Sequence, residues 1–123
     1  MSEPWVIPEK FIHSANGTEG HFLIPVHSPW FSGHFPDMPV LPAIGMLGMV
    51  YDTLAAHTAH NGIRLTIRGM KRVRFRQILE PGSRFIVSIS LNTSTDASQV
   101  LFHCVSGDTK ACDGILLVSK GNS

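Results

Sequence analysis

The residues best suited to chemistry lie in the proline-rich segment from His27 to Pro42, which holds His34 among four prolines. An imidazole titrates near neutral pH, so it can take a proton from a substrate and return it. Prolines restrict the backbone before folding, so such a segment can hold a ring in place at a small cost in ordering. The pattern predicts His34 as a proton-transfer residue.

A helix is predicted to follow this segment. Pro42 suits its first turn, where a missing N–H costs nothing, and Asn61-Gly62 suits its end. The free N–H groups at a helix start carry partial positive charge. The backbone N–H of Ala43 is therefore a candidate donor to a substrate carbonyl whose α-carbon would lie near His34. Apolar residues nearly all round the helix indicate that it is buried. One apolar face is formed by Ile44, Leu47, Tyr51, Leu54 and Ala55.

The remaining chain favours an antiparallel sheet. Asn16-Gly17-Thr18-Glu19-Gly20 predicts the turn of a hairpin formed by Lys10–Ala15 and His21–Val26. Alternating runs predict strands near residues 66–77 and 85–91, and mostly apolar runs predict strands near residues 100–105 and 115–118. We expect an α+β fold in one domain, residues 1–123, with one long central helix wrapped by a curved antiparallel sheet. Such a sheet leaves an edge that a second copy of the chain would cover.

Composition excludes several classes of protein. The chain has 123 residues, 43% of them hydrophobic and 15% charged, with a net charge of +1. These values exclude disorder and argue against general nucleic-acid binding. The longest apolar stretch, Val40 to Leu54, is too interrupted to span a membrane. Cys104 and Cys112 are too few for a disulfide framework, so a reduced, cytoplasmic location is expected, with no metal and no cofactor.

Two further patterns have alternative interpretations. The basic run Arg72, Arg74 and Arg76 is either a solvated sheet face or a docking site for an acidic partner. His57 and His60 have the i, i+3 spacing of a helical metal site, but no acid or thiol pattern accompanies them. We interpret them as a solvated helix end whose charge suits the helix dipole.

Two motifs resemble those of the (3R)-hydroxyacyl-acyl carrier protein dehydratases, which have the hot-dog fold. The first is His-Phe-Pro-x-x-Pro-x-x-Pro, which begins at His34 and follows Trp30-Phe31-Ser32-Gly33. The second is Val73-Arg74-Phe75-Arg76 followed by Glu80-Pro81-Gly82-Ser83. The motifs lie in the family's order, and the resemblance extends from about His21 to the end of the chain.

The resemblance implies a homodimer or a larger assembly of dimers, acting in fatty acid biosynthesis on substrates attached to acyl carrier protein by phosphopantetheine. His34 would remove the α-proton while the β-hydroxyl leaves as water, giving a trans-2-enoyl thioester. Gly33 and Ala43 would bind the thioester, and the arginines of the basic run would bind the carrier protein. The acyl tunnel would be lined by Phe35, Pro36, Met38, Pro42 and Gly48.

The sequence departs from the family in the helix. The position of the family's helical acid falls on Gly48, which has no side chain. Asp52 lies one turn later on roughly the same face, with an axial shift of about 6 Å, and Asp37 is a second possible acid. Three hypotheses follow: a dehydratase with a substitute acid, an acyl-binding or partner subunit that pairs with an active homologue, and a hot-dog thioesterase.

Overall fold

A computed structural model describes residues 6–26, 43–75, 82–91 and 99–120. They form six strands and one helix of 19 residues. In chain order the elements are β1 (Ile7–His13), β2 (Gly17–Leu23), α1 (Ala43–Asn61), β3 (Leu65–Phe75), β4 (Arg84–Leu91), β5 (Gln99–Ser106) and β6 (Thr109–Lys120).

The strands form one antiparallel sheet in the order β1-β2-β4-β5-β6-β3, and α1 packs on one face of it. This architecture confirms the predicted hot-dog fold. The predicted hairpin is present, but its turn lies earlier than predicted, between His13 and Gly17, because residues 17–20 pair with β1 as part of β2. No helix in the described ranges is long and apolar enough to cross a membrane.

The hydrophobic core lies between the helix and the inner face of the sheet. Strand β4 shows the alternation that builds it, since Phe85, Val87 and Ile89 are buried while the intervening side chains are less so. Other fully covered members are Phe22, Ile24, Met49, Val50, Val100, Cys104, Ala111 and Cys112.

Only one side of α1 faces this core. Met46, Met49 and Val50 are buried, whereas Tyr51 is 58% exposed and Ala55 is also exposed. The prediction of a helix buried nearly all round is therefore wrong for the single chain. The sheet of one chain covers one side of a helix, and the described residues leave the other side open.

Two glycines allow the helix to end where it does and to pack closely on the sheet. Gly62 has a φ of 66°, the left-handed conformation that ends a helix, as its sequence predicts. Gly20 on β2 lies directly beneath Thr53 of α1. A Cβ atom at Gly20 would lie 2.6 Å from Thr53 Oγ1 and 2.8 Å from the Phe22 ring. The helix can reach its position on the sheet because residue 20 has no side chain.

The two edges of the described sheet differ. Edge strand β1 contains Pro8, which discourages pairing with another strand, whereas register shifts occur in both edge strands. Edge strand β3 is 11 residues long, contains no proline, and exposes Met70 and Phe75. The β3 edge is therefore the better template for a second chain.

Candidate active site

The predicted catalytic loop lies outside the described residues. This applies to the predictions for Gly33, His34, Phe35, Pro36, Asp37, Met38, Pro42 and Arg76, which all remain predictions. The described part of the candidate site consists of the start of α1, the open face of α1 and the basic residues of β3.

The start of α1 has the polarity that an oxyanion site needs. The helix begins at Ala43, so the N–H of Ala43 belongs to the first turn, where backbone donors lack a partner within the helix. No acidic residue occupies that turn, so no carboxylate side chain neutralises its positive end there. A carbonyl oxygen that gains negative charge would be stabilised at this position.

The open face of α1 brings Gly48 and Asp52 together. Both residues are exposed and lie four positions apart, so they are neighbours on one side of the helix. Within the described ranges, a Cβ atom at Gly48 would have no atom within 4 Å apart from the nearby backbone of its own helix. Close packing against the sheet therefore does not explain this glycine, and the position has room for a substrate.

Asp52 has an altered acidity. Although its side chain is exposed, nearby protein atoms remove part of its water, and this desolvation raises the pKa of the Asp52 carboxyl above 3.8. A raised pKa favours the protonated acid, the form that can give a proton to a leaving hydroxyl. Among the described residues, Asp52 is thus the carboxyl group that best fits the role of the missing helical acid.

A groove of about 300 Å³ runs beside this face, between α1 and the edge strand β3. Its lining is mainly apolar and comprises Tyr51, Leu54, Ala55, Thr58, Leu65, Thr66 and Ile67. The sequence placed Tyr51 and Ala55 on one apolar face with Leu54, and the structure divides that face: Leu54 belongs to the core, whereas Tyr51 and Ala55 are exposed and line the open groove.

The basic residues of β3 lie around a different groove. Arg72 and Arg74 line a space of about 370 Å³ together with Lys110 and Asp113 of β6. Lys110 and Asp113 were not predicted from the sequence, because they are far from the arginines along the chain and join them only through the pairing of β3 with β6. That pairing sets Arg74 opposite Asp113.

The prediction of a solvated helix end is wrong for His57. Its side chain is only 1% exposed, because the β1–β2 hairpin covers the end of α1. The Thr18 hydroxyl lies 2.9 Å from His57 Nδ1 and 2.9 Å from His13 Nδ1. Because a hydroxyl has one proton, it donates to one ring and accepts from the other. His60 is exposed, as predicted, and stacks on His13 with 4.1 Å between ring centroids.

Burial lowers the pKa of His57 below 6.5, with smaller contributions from His13 and His60, and a hydrogen bond to the Gly17 backbone opposes the shift. The surroundings thus favour the neutral ring, and its Nδ1 atom is used within the fold. We assign His57 to the structure of the helix end.

Comparisons with known proteins agree with this fold and place the chain in a family. The family model of the ApeI-like proteins, described as ApeI dehydratase, matches residues 12–115. The chain therefore belongs to the ApeI-like dehydratase family.

Curated relatives are more distant. A 3-hydroxyacyl-[acyl-carrier-protein] dehydratase FabZ from Oleidesulfovibrio alaskensis is 36% identical over 67 residues, which cover 50% of this chain and 44% of that protein. A FabZ from a Shewanella species is 22% identical over 98 residues, or 72% of this chain and 64% of the relative. The chain thus spans less than two thirds of the length of these relatives.

Solved structures share the fold at low sequence identity. The dehydratase heterocomplex ApeI:P from Xenorhabdus doucetiae superposes with a TM-score of 0.77 at 19% identity, covering 95% of this chain and 98% of that chain. A mutant of the fluoroacetyl-CoA-specific thioesterase FlK gives a TM-score of 0.64 at 17% identity, covering 90% of both chains. One fold thus accommodates both dehydratases and thioesterases, so the site must decide the chemistry.

Proposed function

We propose that this protein dehydrates a 3-hydroxyacyl thioester attached to acyl carrier protein and releases a trans-2-enoyl thioester. Membership of the ApeI-like family and the motif at His34 support the reaction class. One observation supports the proposal beyond this: Asp52, whose carboxyl has a raised pKa, lies one turn beyond Gly48, which has no side chain.

In this proposal His34 takes the proton from the α-carbon. The electrons of that C–H bond form the new double bond as the bond from the β-carbon to its hydroxyl breaks. The protonated Asp52 gives its proton to the departing hydroxyl, so water leaves. The resulting carboxylate regains a proton from the His34 imidazolium, directly or through water, and the cycle closes with no cofactor.

Backbone groups and apolar surfaces hold the substrate. The Ala43 N–H would donate to the thioester carbonyl as negative charge develops on its oxygen. Gly33 would lie beside the thioester, and Phe35, Pro36, Met38 and Pro42 would line the acyl tunnel with the open position at Gly48. The arginines Arg72, Arg74 and Arg76 would attract the acidic carrier protein.

A second chain would complete this site. The uncovered face of α1 and the exposed Met70 and Phe75 on the β3 edge are surfaces that pairing of two sheets would cover. We propose a homodimer joined along β3. The desolvation of Asp52 would then increase, which would raise the pKa of this carboxyl further.

A second candidate function rests on Gly48. Without the family's acid at this position, the chain would bind acyl groups and serve as the partner of an active homologue. The dehydratase heterocomplex ApeI:P from Xenorhabdus doucetiae gives this alternative a parallel in a similar fold.

Turnover of a defined substrate separates the functions. The purified protein is mixed with a (3R)-hydroxyacyl carrier protein, and the products are followed by mass spectrometry. We expect loss of water, and we expect His34→Ala to abolish it while His60→Ala, which removes an exposed histidine at the far end of α1, retains it. Binding without turnover would favour the partner subunit, and release of a free thiol would identify a thioesterase.

A further inference from the structure

A cationic groove lies on the outer face of the sheet, away from the core. Leu101 and His103 on β5 point to this face, because they are exposed while their neighbours Val100 and Phe102 are buried. Both line the groove, which has a volume of about 370 Å³. The cations around it are Arg72 and Arg74 of β3 and Lys110 of β6.

The charges of the groove do not cancel. Three cations and one carboxylate, Asp113, give its described lining a net charge of +2 when His103 is neutral. Asp113 Oδ2 lies 4.0 Å from Lys110 Nζ, so this carboxylate already has a cation beside it. Among the described contacts, Arg72 and Arg74 have neither a hydrogen bond nor an ion pair. Two guanidinium groups therefore remain available to an anion.

The backbone at Arg72 is unusual. Its φ of 55° lies in the left-handed region, which non-glycine residues rarely adopt. It falls within a register shift between Lys71 and Arg74, where β3 bulges away from regular pairing with β6. Such a conformation has an energetic cost, and strained bulges that turn a side chain often accompany binding sites. Here the bulge lies between the two strands that supply the three cations.

We propose that this groove binds the phosphate group of a small ligand. A phosphate monoester carries a charge close to −2 near neutral pH, which matches the net charge of the lining. Guanidinium groups bind phosphate oxygens through paired N–H donors. The volume lies within the range of small-molecule sites, about 300–1,000 Å³.

The proposal does not depend on dehydration, since the groove contains neither Ala43 nor Gly48 nor Asp52. It assigns to Arg72 and Arg74 a phosphate ligand, with Lys110 as the third cation. The phosphate could belong to a free nucleotide-bearing thioester or to the phosphodiester that links a prosthetic arm to a carrier protein. Both sources present anionic phosphate oxygens, but the nucleotide's monoester carries a charge near −2 and the phosphodiester a charge of about −1, and a binding experiment can separate them.

The test is calorimetric titration of the full chain at low salt with inorganic phosphate and with adenosine 3′,5′-bisphosphate. We expect saturable binding at one site per chain. Arg72→Gln, Arg74→Gln and Lys110→Gln should each weaken binding about tenfold, the usual effect of losing one charged hydrogen bond. Arg68→Gln is the matched control, because Arg68 lies on β3 outside the groove and should leave binding unchanged.

Two further variants refine the outcome. Asp113→Asn removes the one carboxylate of the described lining and should tighten binding severalfold. His34→Ala should leave phosphate binding unchanged, so failure of the proposed catalysis would remain distinct from failure of this site. Thermal melts of each variant show that it is folded.

Competition distinguishes the sources of the phosphate. If the bisphosphate displaces bound inorganic phosphate and carrier protein does not, the ligand is a free nucleotide. If carrier protein displaces the phosphate, and does so only with its phosphopantetheine arm attached, the ligand is the phosphodiester. The proposal would be overturned by absence of saturable phosphate binding, by equal weakening in Arg68→Gln and Arg74→Gln, or by binding of carrier protein without its arm at the groove in place of phosphate.

Discussion

The two faces of α1 have different roles. The inner face packs Met46, Met49 and Val50 against the sheet and satisfies the polar atoms of His57 through the β1–β2 hairpin. The open face presents Gly48 and the exposed but partly desolvated Asp52. His57 and Asp52 lie on one helix but differ in role. His57 is structural because it is buried and hydrogen-bonded, whereas the exposed Asp52 lies beside a groove and can react with a substrate.

The largest effect on stability is expected from His57→Ala. The change leaves a cavity under the hairpin and removes a hydrogen-bond partner of Thr18, so we expect a loss of about 2–4 kcal/mol in the free energy of unfolding. The exposed His60 gives the matched control, and His60→Ala should change stability by less than about 0.5 kcal/mol. Urea unfolding measures both values. Equal losses in the two variants would remove the distinction between the buried and exposed histidines.

Gly20→Ala tests the close contact on the inner face. The added methyl group would overlap Thr53 and Phe22, so either the helix or these side chains must move. We expect destabilisation of about 1–3 kcal/mol, the usual cost of overfilling a packed core. The measurement is the denaturant concentration at the midpoint of unfolding, with the slope of unfolding free energy against denaturant concentration unchanged. A neutral result would mean that α1 does not approach β2 this closely.

Substitution of Gly48 by alanine should change the free energy of unfolding in the opposite direction. Apart from the helix's own backbone, no atom of the described residues lies within 4 Å of the added Cβ, and alanine is a better helix former than glycine by about 1 kcal/mol. We therefore expect Gly48→Ala to stabilise the protein by roughly that amount in a thermal or urea melt. Destabilisation would show that the open face of α1 is tightly covered in the assembled protein.

The smallest effect is a pH dependence of stability due to His57. Because its folded pKa lies below 6.5, the unfolded chain binds more protons under mildly acidic conditions. The stabilisation is complete above about pH 6.5 and is lost as the pH falls below that value, with a slope of at most about 1.4 kcal/mol per pH unit. The nearby groups are His13, His60, Thr18 and Asn61. Unfolding measured from about pH 7.5 to about pH 5.5, on either side of the ordinary histidine pKa, should show this slope, and His57→Gln should reduce it.

The sequence predicts the fold well because the relevant signals are local. Alternating apolar residues define β4, and Asn61-Gly62 ends α1 as expected. It does not predict which side of the helix is covered, since an apolar residue such as Tyr51 looks the same whether it meets the sheet or an open groove. The burial of His57 depends on a hairpin whose Thr18 lies 39 residues away in the chain. Such contacts follow from tertiary packing and leave no local pattern.

The candidate site shows the same division. Its motif residues, including His34, follow from the resemblance, and the place of the missing acid at Gly48 follows from counting along the helix. The desolvation of Asp52 and the meeting of Arg72 with Lys110 arise only after the elements pack. The bulge at Arg72 also escaped prediction, because the sequence there alternates as a regular strand would.

The proposed function depends most on Asp52 supplying the acid that position 48 lacks. The decisive quantity is the rate of enoyl formation from a (3R)-hydroxyacyl carrier protein by the wild type, by Asp52→Asn, and by Asp52→Asn combined with Gly48→Glu. We predict that Asp52→Asn lowers the rate about a hundredfold with the stability unchanged, and that Gly48→Glu restores much of it by placing a carboxyl one turn earlier. An Asp52→Asn protein that dehydrates its substrate at the wild-type rate would contradict this role for Asp52.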